Sequence, residues 1–373
     1  MAAFLQAARA EGICVEYSEA FYKTNPHKKV QRVAEVIRRS TARVIVAFIS
    51  AEDFPALLSE LEGKALAPLQ WIGSEAWVTG RKMLRFPQLA GAIGFSISHS
   101  VIPGLRDFLL DLGPEQVSRS PVLTEFWESA FGCSLGGGQS AAGRKPCDGK
   151  QNLRDLQNPY TDTSQLRISN MVYKAVYAIA HAMHSIICTD EPNTPPHCNT
   201  SIRVEPQQGR SGSGCRLKGT PRPASFSQPG DFVIGGIFSI HSYTTTTERN
   251  YTSRPEAPYC TGSLDFRQVR FARTMVFAIK EINNSSELLP GVTLGYQIHD
   301  SCKSVLVAVG LAFQLANGIE PIFFPNQSCS KSATVHAVVG TSSSTTSIAM
   351  SRILGPFGIP MVSFSCPVLQ FMF

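Results

Sequence analysis

The stretch His336–Ser365, HAVVGTSSSTTSIAMSRILGPFGIPMVSFS, constrains the fold more than any other part of the chain. Ala337–Val339 is a short apolar run closed by Gly340, the pattern of a buried strand. Six hydroxyl residues, Thr341–Thr346, come next, then Ile348, Met350, Ile353 and Leu354 at roughly helical spacing. Gly355-Pro356 ends that helix, and Ile359–Val362 begins another strand. A strand–helix–strand unit requires its two strands to be parallel. The hydroxyls then stand at a helix start, beyond the carboxyl end of a strand. Free backbone N–H groups and the positive end of the helix dipole attract an anion there. One glycine and a row of hydroxyls suit a small carboxylate better than a nucleotide phosphate. The same residues also make an over-supplied N-cap, and both readings stand at this point.

The chain before this stretch alternates in the same way. In residues 1–188 the patterns predict strands at Gly12–Val15, Arg43–Ile49, Leu69–Ile72 and Ala90–Ile97, and helices at His27–Ser40, Asp53–Leu61 and Met171–Ile187. RVIVAFI (Arg43–Ile49) is continuously apolar, as expected of a strand buried on both faces of a parallel sheet. Residues 189–230, rich in Pro, Gly, Ser and Thr and without periodicity, read as a linker. Alternation restarts at 231–373, with strands at Phe232–Ile240 and Thr293–His299 and helices at Asp265–Ile282 and Lys303–Ala316. The whole is α/β, of the doubly wound open-sheet kind, in which ligands gather at the carboxyl ends of the strands. Gly73-Ser74-Glu75-Ala76-Trp77 lies at such an end. An acid beside an indole suits a ligand's ammonium group, by charge and by cation–π attraction. A turn with a capping Glu and a partly buried Trp fits the same five residues.

Charge and cysteine content narrow the function classes. The net charge of +6 is spread along the chain without basic runs, which argues against nucleic acid as a partner. Ten cysteines form no C-x-x-C pair, and N-x-S/T sites occur at Asn199, Asn250, Asn283, Asn284 and Asn326. Together these point to an oxidising, extracellular setting. The opening MAAFLQAARAEG lacks an apolar core of signal length, and no run of eighteen or more apolar residues occurs.

Three patterns come close to chemistry without reaching it. Gly138–Lys145 imitates a phosphate loop, but Arg144 stands where the lysine is required, and the stretch reads as a loop between Cys133 and Cys147. His181 and His184 sit three apart on a helix with no third metal ligand in view. No Gly-x-Ser-x-Gly is present and no paired carboxylates suggest general acid/base work, so the residues give catalysis no support.

At greater length, FVIGGIFSIH, FARTMVFAIKEINNSSELLPGVTLGYQIHDSC and AVVGTSSSTTSIAMSRILGPFGIPMVSF resemble the first lobe of class C G-protein-coupled receptor ectodomains. GICVEYSEAF, STARVIVAFIS, LQWIGSEAW, GAIGFSI, VIPGLRDFLLDL, LTEFWESAFGC and YTDTSQLRISNMVYKAVYAIAHAMHSIIC resemble the second lobe of that family, in its calcium-sensing, vomeronasal type-2 and amino-acid taste or olfactory branch. The resemblance implies a Venus flytrap of the type I periplasmic-binding kind, two Rossmann-like lobes that close on an amino acid. It also implies a receptor homo- or heterodimer, and a G protein engaged through a membrane domain at the plasma membrane, with the flytrap outside the cell.

Residue by residue, Ser344, with Ser343 and Thr345 beside it, matches the serine region that holds a ligand's α-carboxylate. Glu75, with Ser74 and Trp77 nearby, matches the second-lobe acid that faces the amino group, and Arg267 matches a pocket-rim arginine. The loop Ile282–Leu289 (Ile282, Ser285, Leu288 and Leu289) matches a backbone cation site, which makes Ca2+ an expected co-ligand. Cys133–Cys147, Cys260–Cys302 and Cys188–Cys198 match intralobe disulfides. Cys14 matches a cysteine paired in a downstream domain, and Cys329 an intermolecular disulfide at the dimer interface. Asn199, Asn250, Asn284 and Asn326 are the expected glycosylation sites.

The order departs from the family: the second-lobe-like part (1–188) precedes the first-lobe-like part (231–373). This leads us to expect a fragment or joined gene model, with an unpaired sheet edge and an uncovered apolar face around Phe357, Val362 and Phe364. A soluble solute-binding module without signalling and a non-functional receptor fragment are the alternatives.

Overall fold

In the computed structural model, residues 2–21, 27–51, 53–63, 67–98, 100–135, 145–189, 197–199, 222–245, 258–317, 335–364 and 370–372 are described. They fall into two compact units, Met1–Ser98 and His99–Phe373.

The first unit holds α1 (Ala2–Ala10), α2 (His27–Arg39), β1 (Val44–Ala47), α3 (Phe54–Leu61), β2 (Gln70–Gly73), α4 (Glu75–Val78) and β3 (Ile93–Gly94). The three strands run parallel in the order β1-β2-β3. On α2, Val30, Val33, Ala34 and Ile37 recur at steps of three and four and are buried; on α3, Phe54, Leu57, Leu58 and Leu61 do the same. Both helices press these stripes onto Ile45, Ala47 and Trp71 of the sheet.

Two strand expectations fail here. Gly12–Val15 forms no strand. The segment that follows it is instead tethered through Glu16, whose carboxylate accepts bonds from Ser40 Oγ and the backbone N–H groups of Thr41 and Ala42. β1 is four residues long, and on the face of Val44 and Phe48 the cover is thin: Phe4 of α1 meets Phe48 edge-on at 5.5 Å, while Val44 and Phe48 remain 51% and 55% exposed. Both α2 and α3 lie on the other face, and an apolar run alone does not say how many faces are covered.

The second unit begins with α5 (Leu105–Leu110), α6 (Pro114–Val117) and α7 (Pro121–Phe131). A short pair, β4 (Cys133–Ser134) and β5 (Lys145–Pro146), precedes the long α8 (Arg167–Ile187). A second pair, β6 (Cys188–Thr189) and β7 (His197–Cys198), follows it. Then come β8 (Phe226–Gln228), β9 (Phe232–Phe238), the hairpin β10 (His241–Thr244) and β11 (Cys260–Leu264), α9 (Phe266–Asn283), β12 (Leu294–Asp300) and α10 (Val305–Asn317). The unit closes with β13 (Ala337–Gly340), α11 (Ser344–Leu354), β14 (Met361–Ser363) and β15 (Gln370–Met372).

Six strands form one sheet in the order β15-β14-β13-β9-β12-β8. The four inner strands are parallel, and the two edges are antiparallel. This is the doubly wound α/β architecture expected from the alternation. β9 is the central strand, and its Gly235-Gly236 pair lets helices come close. A Cβ on Gly236 would lie 2.7 Å from Met275 Sδ of α9, and one on Gly235 would lie 3.1 Å from Leu315 of α10. α9 is buried almost all round because the sheet covers one side and α8 the other.

The expected open edge is absent. β15 pairs with β14, and Val362 and Phe364 are fully buried, Phe364 stacking on Phe238 and meeting Phe271 edge-on. Phe357 is partly buried against the α10–α11 core.

The boundary between the units also falls elsewhere than at the composition break of residues 189–230. Residues 100–135 and 145–189 belong to the same unit as the six-stranded sheet: Tyr173 of α8 donates to Glu281 of α9 at 2.8 Å, and Ser120 donates to the Ser225 carbonyl at 2.8 Å. No helix among the described residues is long and apolar enough to cross a membrane.

Candidate ligand-binding site

In the second unit the chain runs from β9 outward to β12, then returns to the other side of β9 as β13. The sheet therefore reverses its winding between β9 and β13, and the crevice beyond their carboxyl ends is where such sheets bind ligands. Two helix N-termini open there, that of α9 after the β10–β11 hairpin and that of α11 after β13.

The turn from β13 into α11 divides its hydroxyls into two sets. Thr341 and Ser347 are fully buried and hold the turn from below: Thr341 Oγ1 donates to the Ser343 carbonyl at 2.9 Å and meets Ser347 Oγ at 3.0 Å. Ser347 in turn reaches Ser363 on β14 at 3.2 Å. Ser342, Ser343, Ser344 and Thr345 are exposed. Ser343 occupies the N-cap position, yet its side chain makes no capping bond. Among the described residues no hydrogen bond engages the hydroxyls of Ser343, Ser344 or Thr345. The cap is thus supplied by backbone geometry and by Thr341, which leaves three hydroxyls and the first N–H groups of an eleven-residue helix facing outward.

At the neighbouring terminus, Asp265 caps α9 by accepting the Arg267 N–H at 3.0 Å. Arg267 is exposed, whereas Arg270 and Arg273 are buried. Desolvation pulls the Arg270 guanidinium down to about 10, and it donates to the Asp162 carbonyl. Arg273 lies over the Phe108 ring, 4.3 Å from its centroid. Of three arginines at steps of three, only Arg267 is presented to solvent.

Glu75 opens α4 in the first unit, directly after β2, with Ser74 as N-cap. Its carboxylate accepts from the Ile97 N–H at 2.8 Å and from Thr79 Oγ1 at 3.0 Å, and the side chain is half-buried. Trp77 corrects an expectation. Its ring is 1% exposed, donates Nε1–H to the Ala47 carbonyl at 2.9 Å, and packs edge-on against Phe54. Gly73 is the residue that admits it, since a Cβ there would lie 2.3 Å from the indole. Trp77 is a core residue, and its face is not open to a cation.

The loop Ile282–Leu289 is a tight turn built on Ser285, whose Oγ accepts from Glu287 N and Leu288 N. Its Ile282 and Leu289 carbonyls already accept the Ser285 and Val292 N–H groups, and Leu288 and Leu289 are buried. Carbonyl oxygens are the right donor type for a hard cation, but a calcium ion needs six to eight oxygens. The residues of this loop would furnish part of that set, and the remaining oxygens would come from water or a ligand. Leu289 N donates to His184 Nδ1 at 3.1 Å.

Disulfides join Cys133 to Cys147, Cys188 to Cys198 and Cys260 to Cys302, and Cys14 is free and exposed. Asn199 and Asn284 are exposed, whereas Asn283 is tied by both ends of its amide to the Leu294 backbone. Cys329, Asn250 and Asn326 lie outside the described residues, as does Gly138–Arg144.

Sequence reasoning missed two features. Gln268, 7% exposed on the first turn of α9, bridges Ser239 after β9 to Ser342 after β13. A glutamine in a first helical turn looks like any surface polar residue. His241 is held between Asp300 and Glu125, and the hydrogen bond to Asp300, then that to Glu125, raise it to about 9.

With this geometry in place, comparison with known proteins is informative. Residues 1–211 and 270–370 match the family described as "Receptor family ligand binding region". The extracellular calcium-sensing receptors of Sus scrofa and Homo sapiens are each 34% identical over 210 residues, covering 49% of this chain and 19% of the relative. Taste receptor type 1 member 1 of Homo sapiens is 33% identical over 149 residues, covering 39% of this chain and 17% of that receptor. The chain thus spans about a fifth of the length of these relatives, each of which is named as a receptor. It belongs to the receptor-family ligand-binding regions, of the class C G-protein-coupled receptor type, with their type I periplasmic-binding fold.

Proposed function

We propose that this chain carries the ligand-sensing part of a receptor for an amino acid or a related small ligand, acting on the extracellular side of the plasma membrane. Ser344, with Ser343 and Thr345, receives the ligand's carboxylate. Glu75, in the first unit, is the residue that the family resemblance assigns to an amine, and Arg267 adds positive charge at the first turn of α9. Signalling through a receptor dimer and a G protein belongs to the same proposal, as a property of the longer receptor.

The observation that carries the reading is the uncapped row of exposed hydroxyls at the N-terminus of α11, at the point where the sheet reverses its winding. Hydroxyl donors, free N–H groups and the helix dipole all favour one negative charge of small size. Glu75 keeps part of its carboxylate exposed while two hydrogen bonds fix its direction, as a counter-charge for an amine requires. Calorimetric titration of the chain with common L-amino acids tests the reading. Saturable binding weakened by Ser344→Ala supports it, and binding indifferent to Ser344→Ala and Glu75→Gln contradicts it.

A further inference from the structure

We propose that Gln268 is a positioning residue that makes Ser342 a dedicated hydrogen-bond donor to the ligand's carboxylate. The proposal rests on the carboxylate reading of the β13–α11 turn.

Gln268 has one accepting end and one donating end, and both are used. Oε1 accepts from the Ser239 N–H at 3.4 Å, and Nε2 donates to Ser342 Oγ at 3.2 Å. A backbone N–H can only donate, so the amide has a single orientation: oxygen toward Ser239, nitrogen toward Ser342. Ser342 must therefore accept, which leaves its own O–H proton directed away from Gln268. Ser342 is exposed, so that proton is free for a ligand.

The amide thus spans the two strand ends that flank the switch point, Ser239 after β9 and Ser342 after β13. On the opposite side the turn is already fixed by the buried Thr341–Ser347–Ser363 chain. Among the described residues the Gln268 amide is the one hydrogen-bonding partner of the Ser342 hydroxyl. A buried amide with both ends satisfied is rigid, and its removal would free the corner of the turn that faces the crevice.

The test uses acetate, a bare carboxylate, titrated into the full chain while the backbone amide signals of Ser343–Thr346 are followed by NMR. Acetate should shift those signals, and acetamide should not. Gln268→Met and Ser342→Ala should each weaken acetate about three- to tenfold, the worth of one hydrogen bond. The double variant should lose no more than either single one, because both remove the same bond. Gln268→Glu supplies the readout that separates aim from mere support. A carboxylate at position 268 would still hold Ser239 and Ser342, but it would draw the Ser342 proton to itself and away from the ligand. It should therefore weaken acetate at least as much as Gln268→Met. Wild-type affinity in Gln268→Glu, or additive losses in the double variant, would overturn the proposal. Acetate that leaves the wild-type signals unmoved would overturn the carboxylate reading itself. Faster amide exchange at Ser342–Thr346 in Gln268→Met would then still uphold the tie, and unchanged exchange would remove it as well.

Discussion

Nδ1 of His241 shares a hydrogen bond with the Asp300 carboxylate, and Nε2 of the same ring meets Glu125 at 3.1 Å. Asp300 also accepts from the N–H groups of Ile240, His241 and Cys302, so one carboxylate gathers the ends of β9, β10 and β12. Two acidic partners outweigh burial and raise the imidazole from its ordinary 6.5 to about 9.

A pH dependence follows. A group whose folded value lies above its unfolded value contributes its full stabilisation below the unfolded value and loses it as pH rises through the folded one. His241 should therefore stabilise the second unit fully below about pH 6.5 and lose that contribution through about pH 9. With Glu125 half-exposed, the worth is about 1–3 kcal/mol. Urea denaturation of the wild type and His241→Gln at pH 6 and pH 10 checks it: the two should differ clearly at the lower pH and converge at the higher.

Phe364 lies between Phe238 and Phe271, with ring centroids 5.5 and 6.2 Å away. Phe364→Ala should cost about 3–5 kcal/mol through lost burial and the cavity left behind. Thermal unfolding of the second unit reports it, and a loss below about 1 kcal/mol would mean that the strand is not packed as described.

The Cys133–Cys147 bridge closes a loop of sequence separation 14, which by chain entropy contributes about 3 kcal/mol. Non-reducing peptide mapping should recover Cys133 joined to Cys147, and Cys133→Ser with Cys147→Ser should lower the unfolding midpoint in urea.

Trp77 fills the core of the first unit. Trp77→Ala should destabilise that unit by about 3–5 kcal/mol, with any loss of ligand response following from unfolding. Trp77→Phe at normal stability should leave amine recognition intact. A selective loss of binding in well-folded Trp77→Phe would restore a direct ligand role for the indole.

These residues show what the sequence makes legible. The β13–α11–β14 unit could be read because each of its signals is local: an apolar run, a hydroxyl-rich start, and a Gly-Pro stop. The exposed hydroxyls of the candidate site were legible for the same reason. Trp77 was not, because an indole two residues from an acid looks alike whether it faces solvent or the core. Gly12–Val15 has strand composition, but no neighbouring strand offers it a ladder among the described residues. The joining of residues 100–135 and 145–189 to the six-stranded sheet depends on contacts such as Tyr173–Glu281, more than a hundred positions apart, which no local pattern reveals. Gln268 shows its meaning only when β9 and β13 are seen side by side.

If the N-terminus of α11 receives a carboxylate, an amino acid and its own amide must bind differently. Calorimetry of the chain with L-amino acids and the matching amides should show the acid binding about ten- to hundredfold more tightly, the worth of one charged hydrogen bond. Ser344→Ala should bring acid and amide close together. Equal binding of acid and amide by the wild type, or a preference for the acid that survives Ser344→Ala intact, would show that the α11 terminus does not receive the carboxylate.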